Sequence, residues 1–235
     1  VPRACSYAPA RAPLWADDGL RRAAGDTLRP GGLPLTERAL ALAGLRPGQR
    51  ILDLGCGLGA TVAHLASLGY RAVGLDATPA QLAKRRRRDL PLAAARAEAL
   101  PLRPGRFHGT LCECVLSLLD DPGQALAGLA RVLVPGGMLV VTDLCRDPGR
   151  SGHDKAAPLP PGCARKALNQ DRFTDLARNA GFLPLILERH DRLLAELAAR
   201  LILADVWRPG AETGFRPVPR LGYFLFIARR TGDDL

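Results

Sequence analysis

Residues 51–60 read Ile-Leu-Asp-Leu-Gly-Cys-Gly-Leu-Gly-Ala, with Gly55, Gly57 and Gly59 at alternate positions. Glycines have no Cβ, so a ligand can approach this backbone closely, as nucleotides do in loops between a strand and a helix. Gly55, Gly57 and Ala60 satisfy the GxGxxG/A dinucleotide fingerprint, and Asp76 follows Gly55 by 21 residues. At the end of a second strand, such an acid binds ribose hydroxyls, so a nicotinamide-dependent dehydrogenase is one reading. Asp53 argues for another. A carboxylate just before the glycine turn repels a pyrophosphate and favours a cationic group such as an ammonium or sulfonium.

These residues need a scaffold that brings strand ends together, and the order of segments supplies one. From Gly48 onward, short aliphatic runs alternate with amphipathic stretches, the pattern of βαβ units around a parallel sheet. Strands are expected at 50–54, 71–75, 109–116, 138–142, 183–188 and 223–228. A strand at 92–97 is weaker in pattern. Helices are expected at 60–68, 79–88, 124–133, 171–180 and 193–204, the second entered through Pro79 and the third closed by Pro135, Gly136 and Gly137. At 235 residues the chain is ~1.6 times a typical domain, which favours one domain with a short appendage. Residues 1–35 form that appendage, expected as an N-terminal segment that serves as a lid, and 36–235 the domain. Within it, residues 145–165, rich in Pro and Gly, are expected as a lid or substrate loop.

Five stretches in order resemble the class I S-adenosylmethionine-dependent methyltransferases: Asp53–Gly59 (DLGCGLG), Gly74–Asp76 (GLD), Ala97–Pro101 (AEALP), Cys112–Leu119 (CECVLSLL) and Leu133–Gly137 (LVPGG). The resemblance covers about residues 29–230. It implies a Rossmann-like α/β fold, with a mostly parallel seven-stranded sheet, helices on both faces, and an antiparallel last strand inserted beside the fifth. It also implies S-adenosyl-L-methionine as cofactor and S-adenosyl-L-homocysteine as product. Asp53, Gly55 and Gly57 would lie around the methionine portion and sulfonium, with Cys56 and Gly59 as further cofactor-binding residues of the loop. Asp76, with Ala77 beside it, would take the ribose hydroxyls, and Ala97 and Glu98 would flank adenine. Cys112, through its backbone, and Glu113 would approach the amino-acid end. Two departures from the family pattern bear on adenine: Arg96 replaces an Asp that binds the base amino group, and 107–110 read Phe-His-Gly-Thr in place of an FDxV pattern.

The acceptor is expected to be a small molecule; methyl transfer is an in-line displacement that needs orientation and exclusion of water more than acid/base groups. The segments Pro161–Ala167 and Glu188–Ala198 resemble the quinone and arsenite methyltransferase branch, which implies a quinone-like carbon or a soft nucleophile such as a thiol, selenol or metalloid. Cys114 and Cys163 are the substrate-facing candidates, together with Arg29 ahead of Pro30, Gly31 and Gly32, where it could also cover the cofactor carboxylate. Glu113 and His190 are the candidates for catalytic groups, His190 as general base where the acceptor must lose a proton.

Six cysteines without CxxC or Cys/His pairs at zinc-finger spacing give no metal site. The net charge of +10 raises nucleic acid as a partner, yet only 5% of residues are aromatic and none interrupts the basic run Lys84–Arg88, which reads as a solvated helix face. Nucleic acid is therefore not expected, an RNA methyltransferase being the rival reading and a catalytically silent cofactor-binding regulator another. No apolar run approaches the ~20 residues of a membrane helix. A cytoplasmic monomer or homodimer is the expectation.

Overall fold

The structure is a computed structural model that describes residues 18–25, 27–85, 87–146, 167–205 and 221–232. In chain order the elements are α1 (Asp18–Ala24), α2 (Gly32–Leu42), β1 (Arg50–Leu54), α3 (Ala60–Ser67), β2 (Arg71–Asp76), α4 (Pro79–Ala83), β3 (Leu92–Ala94) and β4 (Phe107–Glu113). A 3-10 turn at Leu116–Leu118 follows, then α5 (Pro122–Val132), β5 (Leu133–Arg146), β6 (Leu168–Asn169), α6 (Gln170–Asn179), β7 (Phe182–Arg189), α7 (Asp191–Leu203) and β8 (Leu221–Arg230).

Seven strands run in the order β3-β2-β1-β4-β5-β8-β7, and the two-residue β6 pairs with the end of β5. β1, β2, β3, β4 and β5 are parallel to their neighbours, whereas β8 is antiparallel to both β5 and β7. The last strand is thus inserted beside the fifth, as the family resemblance implies. Where both faces are covered, the strands carry apolar residues on both sides and alternate between two cores, whereas β7 exposes Leu183, Leu185 and Leu187 on one face. Leu52, Cys112, Phe224 and Phe226 point to one layer, and Ile51, Leu111, Tyr223 and Leu225 to the other. In the first layer Phe173 of α6 meets the rings of Phe224 and Phe226 at centroid distances of 5.4 and 5.0 Å. The Asp121 carboxylate starts α5 by accepting from Gln124 N at 3.0 Å, with Pro122 in the first turn, and the helix buries Ala125, Leu126 and Leu129.

Several boundaries differ from the sequence expectation. The helix expected at 79–88 ends at Ala83, so Lys84, Arg85, Arg87 and Arg88 of the basic run do not form a helix face. Consecutive guanidinium groups repel one another, Arg85 Nη1 turns back to donate to Leu82 O at 2.7 Å, and Pro91 disfavours helical backbone at Leu90. The strand expected at 109–116 ends at Glu113, because Cys114 adopts a left-handed conformation with φ +57°. β5 is longer than 138–142, extending through Cys145 and Arg146, which pair with β6 rather than beginning a loop. α1 and α2 are additional elements, and α2 runs across the junction expected at 35/36. Residues 147–166, with most of the expected 145–165 loop and Cys163, lie outside the described residues. Among the described residues no helix is long and apolar enough to cross a membrane.

Candidate functional site

β1, β2 and β4 end side by side at Leu54, Asp76 and Glu113, and a cleft of about 1200 Å³ opens beyond these carboxyl ends. This is where open α/β sheets bind ligands. The glycine loop forms its floor. Gly55 N and Cys56 N both donate to Leu75 O, at 2.7 and 3.0 Å, which ties the loop to β2. Gly55 has φ +77°, and a Cβ there would lie 2.2 Å from Val115 Cγ2; only glycine fits both demands. Gly57 also has positive φ, +54°, but a Cβ there would meet nothing within 4 Å, so its backbone faces open space.

The Asp76 carboxylate holds this loop from the next strand. Its Oδ2 accepts from Gly57 N at 2.9 Å and its Oδ1 from Thr78 N at 2.8 Å, each oxygen retaining a further lone pair for a ligand. Asp53 is 3% exposed, and its Oδ2 has no hydrogen-bond partner among the described residues. Burial, reinforced by the Glu113 charge and opposed by Arg29, pushes its carboxyl up to about 7.

Beside it, three residues from separate elements form a buried cluster. Thr36 Oγ1 of α2 donates to Glu113 Oε1 at 2.9 Å and accepts from Arg29 Nη2 at 2.6 Å. Arg29 Nη2 also lies 2.9 Å from Glu113 Oε2, a charge contact without hydrogen-bond geometry. Burial raises the Glu113 carboxyl, and the Arg29 charge and the Thr36 hydroxyl work against that rise. Arg29 thus borders the cleft already engaged with an acid of the protein.

Most sequence candidates meet here: Asp53, Gly55, Cys56, Gly57, Gly59, Asp76, Ala77, Ala97, Glu98, Glu113, Cys114 and Arg29 all border the cleft. The Cys56 thiol packs beneath Gly74, where an added Cβ would lie 2.7 Å from Sγ, and burial drives its pKa far up. It fills space beneath the loop. Cys112 is fully buried in the sheet and does not border the cleft, and its thiol is likewise raised by burial. Cys114 Sγ lies 3.4 Å from the Tyr223 hydroxyl, which donates to Thr142 Oγ1 at 2.9 Å. His190 is elsewhere: it caps α7, its Nε2 is 3.1 Å from Glu188 Oε2, and it does not border the cleft. Glu113 and His190 are therefore not brought together.

Sequence reading missed Thr36, Val115, Ser117, Asp143 and Tyr223. Asp143 had a local signal, an acid inside the apolar run Val140–Leu144. It is fully buried, accepts from Ser117 N, Ser117 Oγ and Leu144 N, and burial raises its carboxyl to about 6 against those bonds. Among the described residues, no three His, Cys, Asp or Glu side chains are grouped to hold a metal ion.

A doubly wound sheet with β8 inserted antiparallel, a glycine loop after β1 and an acid ending β2 define a nucleotide-type cleft on a methyltransferase fold. Residues 52–141 match the family model described as "Methyltransferase domain" (Methyltransf_11), and the chain has the fold of the class I methyltransferases. An uncharacterized methyltransferase YodH of Bacillus subtilis is 38% identical over 117 residues, 47% of this chain and 50% of that protein. The demethylmenaquinone methyltransferase of Beutenbergia cavernae is 37% identical over 137 residues, 56% of this chain and 57% of that protein. The chain thus spans about half the length of these curated relatives. Among solved structures, phosphoethanolamine N-methyltransferase 2 of Haemonchus contortus in complex with S-adenosyl-L-methionine superposes with a TM-score of 0.70 at 18% identity, covering 91% of this chain and 56% of that one. The [4+2]-cyclase SpnF gives 0.68 at 22% identity, covering 84% and 80%. At these identities the likeness is one of fold.

Proposed function

We infer that this chain binds S-adenosyl-L-methionine and transfers its methyl group to a small apolar acceptor, with a ring carbon of a quinone-like molecule as the favoured target. One observation carries the cofactor reading: Asp53, 3% exposed, presents an unpartnered carboxylate oxygen beside a glycine loop open to the cleft. A buried acid in that state is stabilised by a cationic ligand. The bound cofactor would supply an electrophilic methyl on a sulfonium.

The chain's own residues would do the rest. Asp53 and Glu113 offset positive charge at the amino-acid end, Asp76 binds the ribose hydroxyls, and the backbone at Gly57 leaves room for the ligand. Ala97 and Glu98 stand at the adenine end, where Arg96 lies 3.6 Å from Glu98 and is itself mostly exposed. On the other side Leu28, Leu33, Val115, Leu118 and Leu119 border the cleft and suit an apolar acceptor. Two relatives named demethylmenaquinone methyltransferase, 37 and 38% identical over part of the chain, support the quinone-like choice. The residues of α1 that border the cleft, Arg21 and Arg22, support a covering role for the N-terminal segment. Arg21 is hydrogen-bonded to Gln81 of α4.

Parallel calorimetric titrations with S-adenosylmethionine, S-adenosylhomocysteine and NAD test the reading. Micromolar binding of the two sulfur nucleotides is expected. Binding of NAD alone would replace it with the dehydrogenase reading.

A further inference from the structure

The turn after β4 is held from behind by two residues that never reach the cleft. Ser117 and Asp143 are both fully buried and neither borders it. Asp143 Oδ1 accepts from Ser117 Oγ at 2.5 Å and from Leu144 N at 2.7 Å, while Oδ2 accepts from Ser117 N at 3.0 Å. On the opposite side of the same turn, Val115, Leu118, Leu119 and Asp120 border the cleft.

The turn begins at Cys114, whose φ of +57° is rare for a residue with a side chain. Such a conformation persists only where the surroundings over-determine it. Here Cys114 N donates to Thr142 O at 2.7 Å, next to Asp143, and the Ser117 bonds fix the chain three residues on. Val115 lies between these two anchor points, and its Cγ2 fills the space in front of Gly55.

We propose that Ser117 and Asp143 form a buried latch that positions the acceptor-side wall and, through Val115, the glycine loop, so that ligand affinity depends on two residues with no ligand contact. This rests on the cofactor reading above. β5 thereby sets the shape of a site assembled mainly from β1, β2 and the turn after β4. Local preference alone does not hold the turn, since its first residue is in a disfavoured conformation.

Calorimetry with S-adenosylhomocysteine at 10 °C and pH 8 tests the latch in the full chain, with folding of every variant checked by circular dichroism. Ser117→Ala removes one hydroxyl, and Asp143→Asn keeps the side-chain shape but replaces one accepting oxygen with a donating amide. Each is expected to weaken binding at least tenfold. The double variant is expected to bind no more weakly than the poorer single, because both break one latch. If Asp143→Asn does not fold, Ser117→Ala decides the matter alone. A merely structural pair would lower the melting midpoint while leaving affinity at 10 °C within twofold, and that result, or losses that multiply in the double variant, overturns the proposal. Absence of binding by the unmodified protein would instead overturn the cofactor reading, and the latch with it.

Discussion

Asp76 and Gly57 are joined by a 2.9 Å hydrogen bond from the glycine amide to the carboxylate, so the acid that ends β2 also shapes the loop that follows β1. On the proposed function the carboxylate would have a second task, toward ligand hydroxyls, beside the one toward the loop. Asp76→Ala should weaken binding of S-adenosylhomocysteine by about 1–3 kcal/mol, the scale of charge-assisted hydrogen bonds. Calorimetric titration reads this directly, and unchanged affinity would remove Asp76 from the ligand site.

Gly55 allows a second prediction, because its positive φ and the contact with Val115 can be separated. Gly55→Ala should cost about 1–2 kcal/mol for the left-handed backbone alone, and more from the 2.2 Å approach to Val115 Cγ2. Adding Val115→Ala should recover the steric part and leave the backbone part. Urea unfolding of the two variants measures both, and a double variant no more stable than Gly55→Ala would show that Val115 is not the obstacle.

On the proposed function, Asp53 should make cofactor affinity depend on pH. With its carboxyl at about 7 against an ordinary value of 3.8, the native protein holds this proton more tightly than the unfolded chain does. That contribution to stability is complete below the ordinary value and is lost as pH rises through about 7. A sulfonium or ammonium beside the group favours its ionised form, so S-adenosylmethionine binding should release a proton. Affinity should rise about tenfold between pH 6 and pH 8 if the ionised form alone binds. Asp53→Asn should abolish both the rise and the proton release, which calorimetry in buffers of different ionisation enthalpy detects.

Arg29 and Glu113 form a buried charge pair whose partners are not equally dispensable. Removing the guanidinium leaves the acid buried without its cation, and Arg29→Ala should destabilise the protein by about 3–5 kcal/mol near pH 8. The loss should shrink as pH falls, because the Glu113 carboxyl is already raised by burial and removing the Arg29 charge raises it further. Arg29→Met combined with Glu113→Gln should recover most of it. Denaturant midpoints at pH 8 and below are the measurement, and a loss independent of pH would place the effect in packing rather than charge.

Some of this protein could be read along the chain, because it depends on neighbours in sequence. Arg50–Leu54, the glycine turn and Ala60–Ser67 follow from an apolar run, residues permitting positive φ, and helix-forming positions in immediate succession. The antiparallel β8 beside β5 was implied by family resemblance, since no local pattern states which strands will pair. That Gly55, Gly57 and Asp76 would meet at one cleft was legible for the same local reason: they sit at strand ends, and strand ends gather at one edge of a parallel sheet.

What local pattern could not supply is contact across long separations. Thr36 reaches Glu113 across 77 positions, Ser117 reaches Asp143 across 26, and Cys114 meets Tyr223 across 109. His190 looked available in sequence but faces Glu188, because the end of β7 lies away from the cleft. The run after Pro79 read as a longer helix, whereas α4 ends at Ala83 and Arg85 turns back onto Leu82 O. The sequence by itself determined the α/β alternation, the glycine loop and the acids at strand ends, since these are properties of short segments. Only the tertiary structure decided which buried acid faces a cation, which lacks a partner and which latches a turn, because desolvation and hydrogen bonding depend on what the folded chain brings alongside each group.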